Sequence, residues 1–182
     1  VDDELVRLLL ERDVCYVPTL TRELSTFVYA ERPAFFDDPF FRRHAKASEV
    51  ERLVRPDFVE AMRTSEAAAA YRRALAQASA NLKLLADAGV RIAMGTDSGP
   101  AGRFPGYFEH LELEMMADAG LAPERILRSA TGDAAACLGL DELGTLEEGR
   151  RADFLVLSAD PLEDVRNTRS LEAAYVSGVE VR

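Results

Sequence analysis

The stretch NLKLLADAGVRIAMGTDSG, residues 81–99, decides the fold of this chain. Apolar side chains recur at helical spacing from Tyr71 onward, and Gly89 stands where a helix ends. The next run, residues 90–95, is short and apolar, as expected of a buried strand. Helix, glycine and apolar strand in this order are typical of one half of a parallel α/β unit.

Asp97 follows the predicted strand directly. The carboxyl ends of parallel strands hold the active sites of α/β folds. A carboxylate at that point can ligate a divalent cation and accept a proton from water that the cation has acidified. The same residue could instead cap the following turn, since Thr96 and Ser98 also favour turns. The local sequence leaves both interpretations open.

Three further residues are candidates for a substrate pocket around Asp97. Thr19 follows the apolar run VCYVP, residues 14–18, which predicts a second short buried strand. Arg103 could bind a substrate carboxylate through its guanidinium fork, although loop arginines are more often solvated. His110 lies thirteen positions after Asp97, early on a predicted helix. It could line the pocket or form a hydrogen bond to a loop.

Other chemistries are poorly supported. His44 and His110 are the only two histidines, so the chain has no HxH or HExxH motif, whereas a catalytic zinc site uses about three protein ligands. Ser98 lacks the G-x-S-x-G turn of serine hydrolases, and neither cysteine has a base nearby in sequence. Cys15 and Cys137 have apolar neighbours, and we predict two buried free thiols.

The rest of the chain divides into two parts, with a boundary near residue 139. A helix is predicted from Asp2 to about Asp13, and residues 22–70 form a long Phe-rich excursion with predicted helices at 45–53 and 56–63. Further helices are predicted at 107–119, 123–130 and 133–139. The last 40 residues contain two β-type runs separated by Ser177-Gly178, a two-residue hairpin signal.

Composition excludes several classes of function. The 182 residues, 48% of them apolar, suit one modest domain or a piece of a larger one. Acidic residues outnumber basic ones by 32 to 22, a net charge of −10 that disfavours nucleic acid and anionic membranes. No apolar run approaches the roughly 18 residues of a membrane span, and the start VDDELVRLLL does not resemble a signal peptide. We therefore expect a soluble, cytoplasmic protein.

From about residue 72 onward the chain resembles the C-terminal part of the amidohydrolase superfamily. These are metal-dependent (β/α)8 TIM-barrel hydrolases, and the similarity is closest to the imidazolonepropionase-like and prolidase-like branch. Four segments in order carry the resemblance: NLKLLADAGVRIAMGTDSG, HLELEMMADAGLAPERILRSATGDAAACLGL, LGTLEEGRRADFLVLSADPLEDV and AAYVSGVEV.

The resemblance implies an architecture and a mechanism. Residues 1–139 would be part of the barrel, with strands 7 and 8 and a helical insertion at about 22–70. Residues 140–182 would be strands of a composite β-sandwich. Asp97 would correspond to the aspartate of strand 8, which is a metal ligand and the general base in the hydrolysis of an amide or related C–N bond by metal-activated water. His110 would match a histidine that supports the pocket.

The same resemblance implies partners. The metal would be zinc, with its other ligands upstream of Val1, so this segment alone would be inactive. Its partners would be a small-molecule amide substrate and the upstream part of the same chain or another subunit, in a homo-oligomer. The alternative is a non-enzymatic structural or interaction fragment that completes a partner chain.

Overall fold

A computed structural model describes residues 1–181 of the chain. Most of this part is helical. The helices are α1 (Asp3–Glu11), α2 (Leu20–Ser25), α3 (Pro39–His44), α4 (Ala47–Leu53), α5 (Pro56–Arg63), α6 (Glu66–Asp87), α7 (Phe108–Asp118), α8 (Pro123–Ser129) and α9 (Gly132–Leu138). The strands are β1 (Phe154–Leu157), β2 (Leu171–Val176) and β3 (Val179–Val181).

The two segments predicted as neighbouring barrel strands lie parallel but meet at a single bridge, between Tyr16 and Ile92. The amide N–H of Tyr16 donates to the Arg91 oxygen at 2.9 Å, and the Ala93 N–H donates to the Tyr16 oxygen at 3.0 Å. Gly95 leaves room for the Val17 side chain, since a Cβ at Gly95 would lie 2.7 Å from a methyl group of Val17.

The prediction that residues 14–18 are a buried strand is wrong in its burial. Val14 and Val17 are 43% and 48% exposed. A strand buries its side chains only where another layer packs on that face, and within residues 1–181 these two valines are not covered in this way.

The main core lies between α6, the segment that leads to Asp97, and the helices α7 and α8. Its members are buried apolar side chains that include Leu82, Leu85, Ile92, Met116 and Ile126. Helix α6 begins at Glu66 rather than at the predicted Tyr71. Ser65 caps it by accepting a hydrogen bond from the Ala68 N–H at 3.2 Å, and the alanines that follow are strong helix formers.

A second core is aromatic and belongs to the excursion at 22–70. Tyr29, Phe36 and Phe41 pack there against Phe104 and Phe108. The predicted helices at 45–53 and 56–63 are confirmed as α4 and α5. The excursion therefore packs on the loop that follows Asp97 and on the start of α7.

The C-terminal residues form an antiparallel sheet in the order β1-β2-β3. The predicted hairpin is confirmed: Ser177 and Gly178 have φ of 51° and 76°, as a tight turn between two strands requires. Phe154 stacks on Tyr175 with ring centroids 4.6 Å apart. Leu155 and Val179, by contrast, are 56% and 68% exposed.

Cys15 and Cys137 form a disulfide, which contradicts the prediction of two buried free thiols. Their Cα atoms are 6.0 Å apart, and both residues are partly exposed. The bond joins residues separated by 122 positions and ties the segment at 14–18 to α9. Local sequence could not reveal this pairing, because disulfide formation depends on distances in the folded chain.

Within residues 1–181, no helix combines the length and the hydropathy that a membrane crossing requires.

Candidate functional site

Asp97 stands at the end of the segment that pairs with Tyr16, with φ of 53°. A non-glycine residue in this left-handed region is uncommon and costs of the order of 1 kcal/mol, and such residues cluster at functional sites. The Asp97 side chain is 55% exposed. The backbone therefore holds an accessible carboxylate in a conformation that the surrounding structure must stabilise.

A hydrogen-bond network beside Asp97 supplies that support. Thr96 is buried, and its Oγ1 donates to Oε1 of Glu109 at 2.9 Å. Because that hydrogen is used, Thr96 Oγ1 accepts from the Ser98 hydroxyl at 2.7 Å and from the Ser98 N–H at 3.1 Å. The second oxygen of Glu109 accepts from the Gly106 N–H at 2.6 Å. Residues on both sides of Asp97 are thus fixed to α7.

The pKa of Glu109 is below its usual range. Burial acts in the opposite direction, but hydrogen bonds from the backbone and from the Thr96 hydroxyl outweigh it. Glu109 is therefore an ionised acceptor that holds this turn.

Arg103 lies directly on Asp97. Its Nη1 donates to the Asp97 backbone oxygen at 3.1 Å and also forms an ion pair with the Asp97 carboxylate. Its Nε donates to the Ser25 hydroxyl at 3.2 Å. The guanidinium therefore links the Asp97 turn to the end of α2.

Thr19 lies after the segment at 14–18, also in a left-handed conformation with φ of 47°, at the start of α2. The next two residues are held by Glu112, a buried residue of α7. The carboxylate of Glu112 accepts from the N–H groups of Leu20 and Thr21 and from the Thr21 hydroxyl, each at 2.7 Å. Burial raises the pKa of Glu112 although these hydrogen bonds act against it.

Sequence reasoning missed Glu112. Its one signal is its spacing, since Phe108, Glu112 and Met116 recur every four residues on one helix face and all three are fully buried. A carboxylate on a buried face requires donors, and here they come from the first two residues of α2.

Within residues 1–181, no hydrogen bond joins His110 to Asp97. Its Nδ1 lies 2.8 Å from the Thr168 hydroxyl, which itself donates to the Val165 oxygen at 2.7 Å. Nδ1 therefore carries the hydrogen of this bond. Burial and the nearby Arg169 lower the pKa of His110, which favours the neutral ring. His44 is exposed on the surface of α3.

Asp97 fits the role of one metal ligand. It offers accessible carboxylate oxygens at the end of the parallel pair, as oxygen-binding cations require. Within residues 1–181 no group of three or more His, Cys, Asp or Glu side chains is placed to hold a metal ion. The described residues therefore contain one candidate ligand and not a complete site.

Comparison with known proteins places the chain in a family. The amidohydrolase family matches residues 10–181. Imidazolonepropionase of Deinococcus deserti is 40% identical over 85 residues, which are 46% of this chain and 21% of that protein. Ochratoxinase of Aspergillus niger is 37% identical over 82 residues, which are 43% of this chain and 16% of that protein.

A solved structure extends the similarity to the fold of the whole chain. The crystal structure of a Xaa-Pro dipeptidase with methionine bound in its active site matches with a TM-score of 0.70 at 22% identity. The match covers 100% of this chain and 38% of that one. This protein chain belongs to the amidohydrolase family. It spans about a fifth of the length of the imidazolonepropionases that it matches.

Proposed function

We propose that this chain is part of a metal-dependent amidohydrolase that hydrolyses an amide or related C–N bond, with Asp97 as metal ligand and general base. The observation that carries the proposal is the position of Asp97, an accessible carboxylate on a left-handed backbone at the end of the parallel pair. The family match over residues 10–181 supports the reaction class. The proposed metal is zinc, with its other ligands upstream of Val1.

A divalent metal, when bound, would acidify a water molecule and polarise the carbonyl group of the substrate. The chain's own residues supply the rest. The Asp97 carboxylate takes the proton from the water and passes it to the leaving nitrogen when the C–N bond breaks. The network of Thr96, Ser98 and Glu109 keeps that carboxylate in place.

The proposed substrate is a dipeptide-like or cyclic amide that carries a carboxylate. Its support is the positive charge that Arg103 places beside Asp97, together with a Xaa-Pro dipeptidase among the similar structures. Thr19, at the end of the paired segment, and His110, on α7, are the other pocket residues in this proposal.

The wider architecture belongs to the same proposal. Residues 1–139 would contribute strands 7 and 8 to a (β/α)8 barrel, and residues 140–182 would contribute strands to a composite sandwich. The upstream part of the chain or another subunit would complete both, in a homo-oligomer. A cytoplasmic location stays a prediction, and the Cys15–Cys137 disulfide counts against it because disulfides persist mainly in oxidising compartments.

The test uses the natural full-length protein. Metal content is measured by mass spectrometry, and hydrolysis of N-acyl amino acids and dipeptides is followed with and without a chelator. We expect a bound divalent metal and chelator-sensitive hydrolysis, and Asp97→Asn should lower kcat by about 10² to 10⁴-fold, the range of a lost general base. The variant's far-UV circular dichroism should stay that of the wild type.

The alternative is a non-enzymatic fragment that completes a partner chain. The observations in its favour are the single candidate ligand within residues 1–181 and the exposed apolar side chains of Leu155 and Val179. It predicts no hydrolysis at any metal content and no effect of Asp97→Asn. That result would overturn the enzymatic proposal.

A further inference from the structure

We propose that the pocket between the 22–70 excursion and the loop after Asp97 binds one part of the substrate, a carboxylate attached to an aromatic or other bulky apolar group. Lys46 is the cation that contacts this carboxylate. The inference rests on the proposed function and specifies its substrate class. The pocket has a volume of about 280 Å³. That is close to the lower end, about 300 Å³, of small-molecule sites, so it suits one ring-bearing group rather than a whole peptide.

The pocket adjoins Asp97. Gly99 and Arg103, from the loop that follows Asp97, line it. Nη1 of Arg103 is 3.1 Å from the Asp97 backbone oxygen. A group that lies in the pocket against Arg103 is therefore separated from Asp97, the proposed base, by this one side chain. A substrate could therefore place its amide bond at Asp97 and its side group in the pocket.

The walls are aromatic and fixed by packing. Phe41, Phe104 and Tyr107 line the pocket, and each is at most 5% exposed. The ring centroid of Phe41 lies 4.8 Å from that of Phe104 and 5.1 Å from that of Tyr107, both in edge-to-face contact. Rings held in this way form a preformed surface for an apolar or aromatic group.

The charges that line the pocket are mainly positive, although the chain as a whole has a net charge of −10. The charged side chains that line it are Lys46 and Arg103, against one carboxylate, Glu49. An electropositive pocket on an acidic protein attracts anions selectively.

Lys46 is the cation that remains available. Arg103 already contacts Asp97 and Ser25. Glu49 accepts from the Gly102 N–H and lies 3.9 Å from Arg52. Among residues 1–181 no carboxylate lies within ion-pair distance of the Lys46 ammonium group, which is exposed at the pocket.

The pocket depends on the excursion. Phe41 and Lys46 come from it, whereas Phe104 and Tyr107 come from the loop after Asp97. Two contacts hold these parts together at Gly102: its N–H donates to Glu49, and its carbonyl accepts a hydrogen bond from the Tyr29 hydroxyl. The excursion is thus positioned to select the substrate while Asp97 acts on it.

The test compares two substrates in the metal-loaded full-length protein: N-acetyl-L-phenylalanine and N-acetyl-L-phenylalaninol, which lacks the carboxylate. Lys46→Ala should raise KM for the first about tenfold, the scale of a charge-assisted hydrogen bond, with kcat unchanged. KM for the neutral substrate should not change. Lys46→Arg should restore KM for the anionic substrate, and Lys83→Ala, in an exposed ion pair on α6, is the matched control.

Calorimetric binding of N-acetyl-L-phenylalanine separates the two proposals. If both substrates are hydrolysed and the ratio of their two KM values is the same in wild type and in Lys46→Ala, the proposed role of the pocket is wrong and the proposed function is retained. If N-acetyl-L-phenylalanine is not hydrolysed but its binding depends on Lys46, the proposed function is wrong and the proposed pocket is retained. Absence of both would overturn both.

Discussion

Asp97 lies between two regions that are built differently. On one side, hydrogen bonds to two carboxylates of α7 hold the neighbouring backbone: Glu109 accepts from Thr96 in the segment at 90–99, and Glu112 accepts from the start of α2. On the other side, the excursion and the loop at 100–107 are joined mainly by ring packing. Hydrogen bonds are directional and ring contacts are less so.

This difference separates two tasks. The hydrogen-bonded region fixes the direction of one carboxylate, which chemistry requires. The aromatic region fixes the shape and charge of a pocket, which substrate choice requires. Substitutions in the first region should therefore change stability or kcat, and those in the second should change KM.

The largest effect on stability is expected from the disulfide, which joins the segment at 14–18, the partner of residues 90–99, to α9 and is remote from the aromatic region. Replacing Cys15 and Cys137 with serine should lower the free energy of unfolding by about 4 kcal/mol, since the bond spans 122 positions and restricts the unfolded chain. Urea denaturation of the full-length protein measures this, and wild type in dithiothreitol should match the variant. KM should stay the same. An unchanged midpoint would show that the bond is not formed in solution.

Glu112 tests whether the carboxylate contacts hold the first region together. Glu112→Ala leaves two N–H groups and one hydroxyl without their acceptor, so we expect a loss of about 3 kcal/mol. Glu112→Gln should lose less because one oxygen remains. The exposed Glu124 is the control, and Glu124→Ala should change the unfolding free energy by no more than about 0.5 kcal/mol. Equal effects of the two alanine variants on the unfolding free energy would contradict the proposed role of Glu112 as the acceptor that holds the start of α2.

The smallest effect concerns pH and His110. Its pKa in the folded protein is lowered from 6.5, so below that pH the unfolded state binds more protons than the folded state. The free energy of unfolding should therefore fall as pH decreases from about 6.5 toward the folded pKa. Above pH 6.5 it should not depend on the protonation of His110. His110→Gln should reduce this slope, which is measured by urea denaturation at several pH values. A slope that persists in His110→Gln would assign it to another group.

Local patterns predicted much of the structure. Pro56 at the first turn of α5, Gly139 after α9 and Ser177-Gly178 in the hairpin each set a boundary through the conformation of one or two residues. Asp97 was found in the same way, because a helix, a glycine and an apolar strand precede it.

Contacts between distant residues could not be predicted. Glu112 meets Leu20 across 92 positions, and Cys15 meets Cys137 across 122. The Phe-rich excursion could be expected either to cover an apolar pocket or to pack on itself, but the residues of the pocket could not be named, because Lys46 and Phe104 share no pattern in sequence and meet only when the excursion packs on the loop. Such pairings depend on tertiary packing, which single-sequence periodicity does not specify.

The most direct test measures kcat and KM of Asp97→Asn and Lys46→Ala side by side, in the metal-loaded full-length protein with N-acetyl-L-phenylalanine. We predict that Asp97→Asn lowers kcat by at least about 100-fold with little change in KM, and that Lys46→Ala raises KM about tenfold with kcat unchanged. If Asp97→Asn retained wild-type kcat, or if both variants changed the same parameter, the proposed division between the two regions would be wrong.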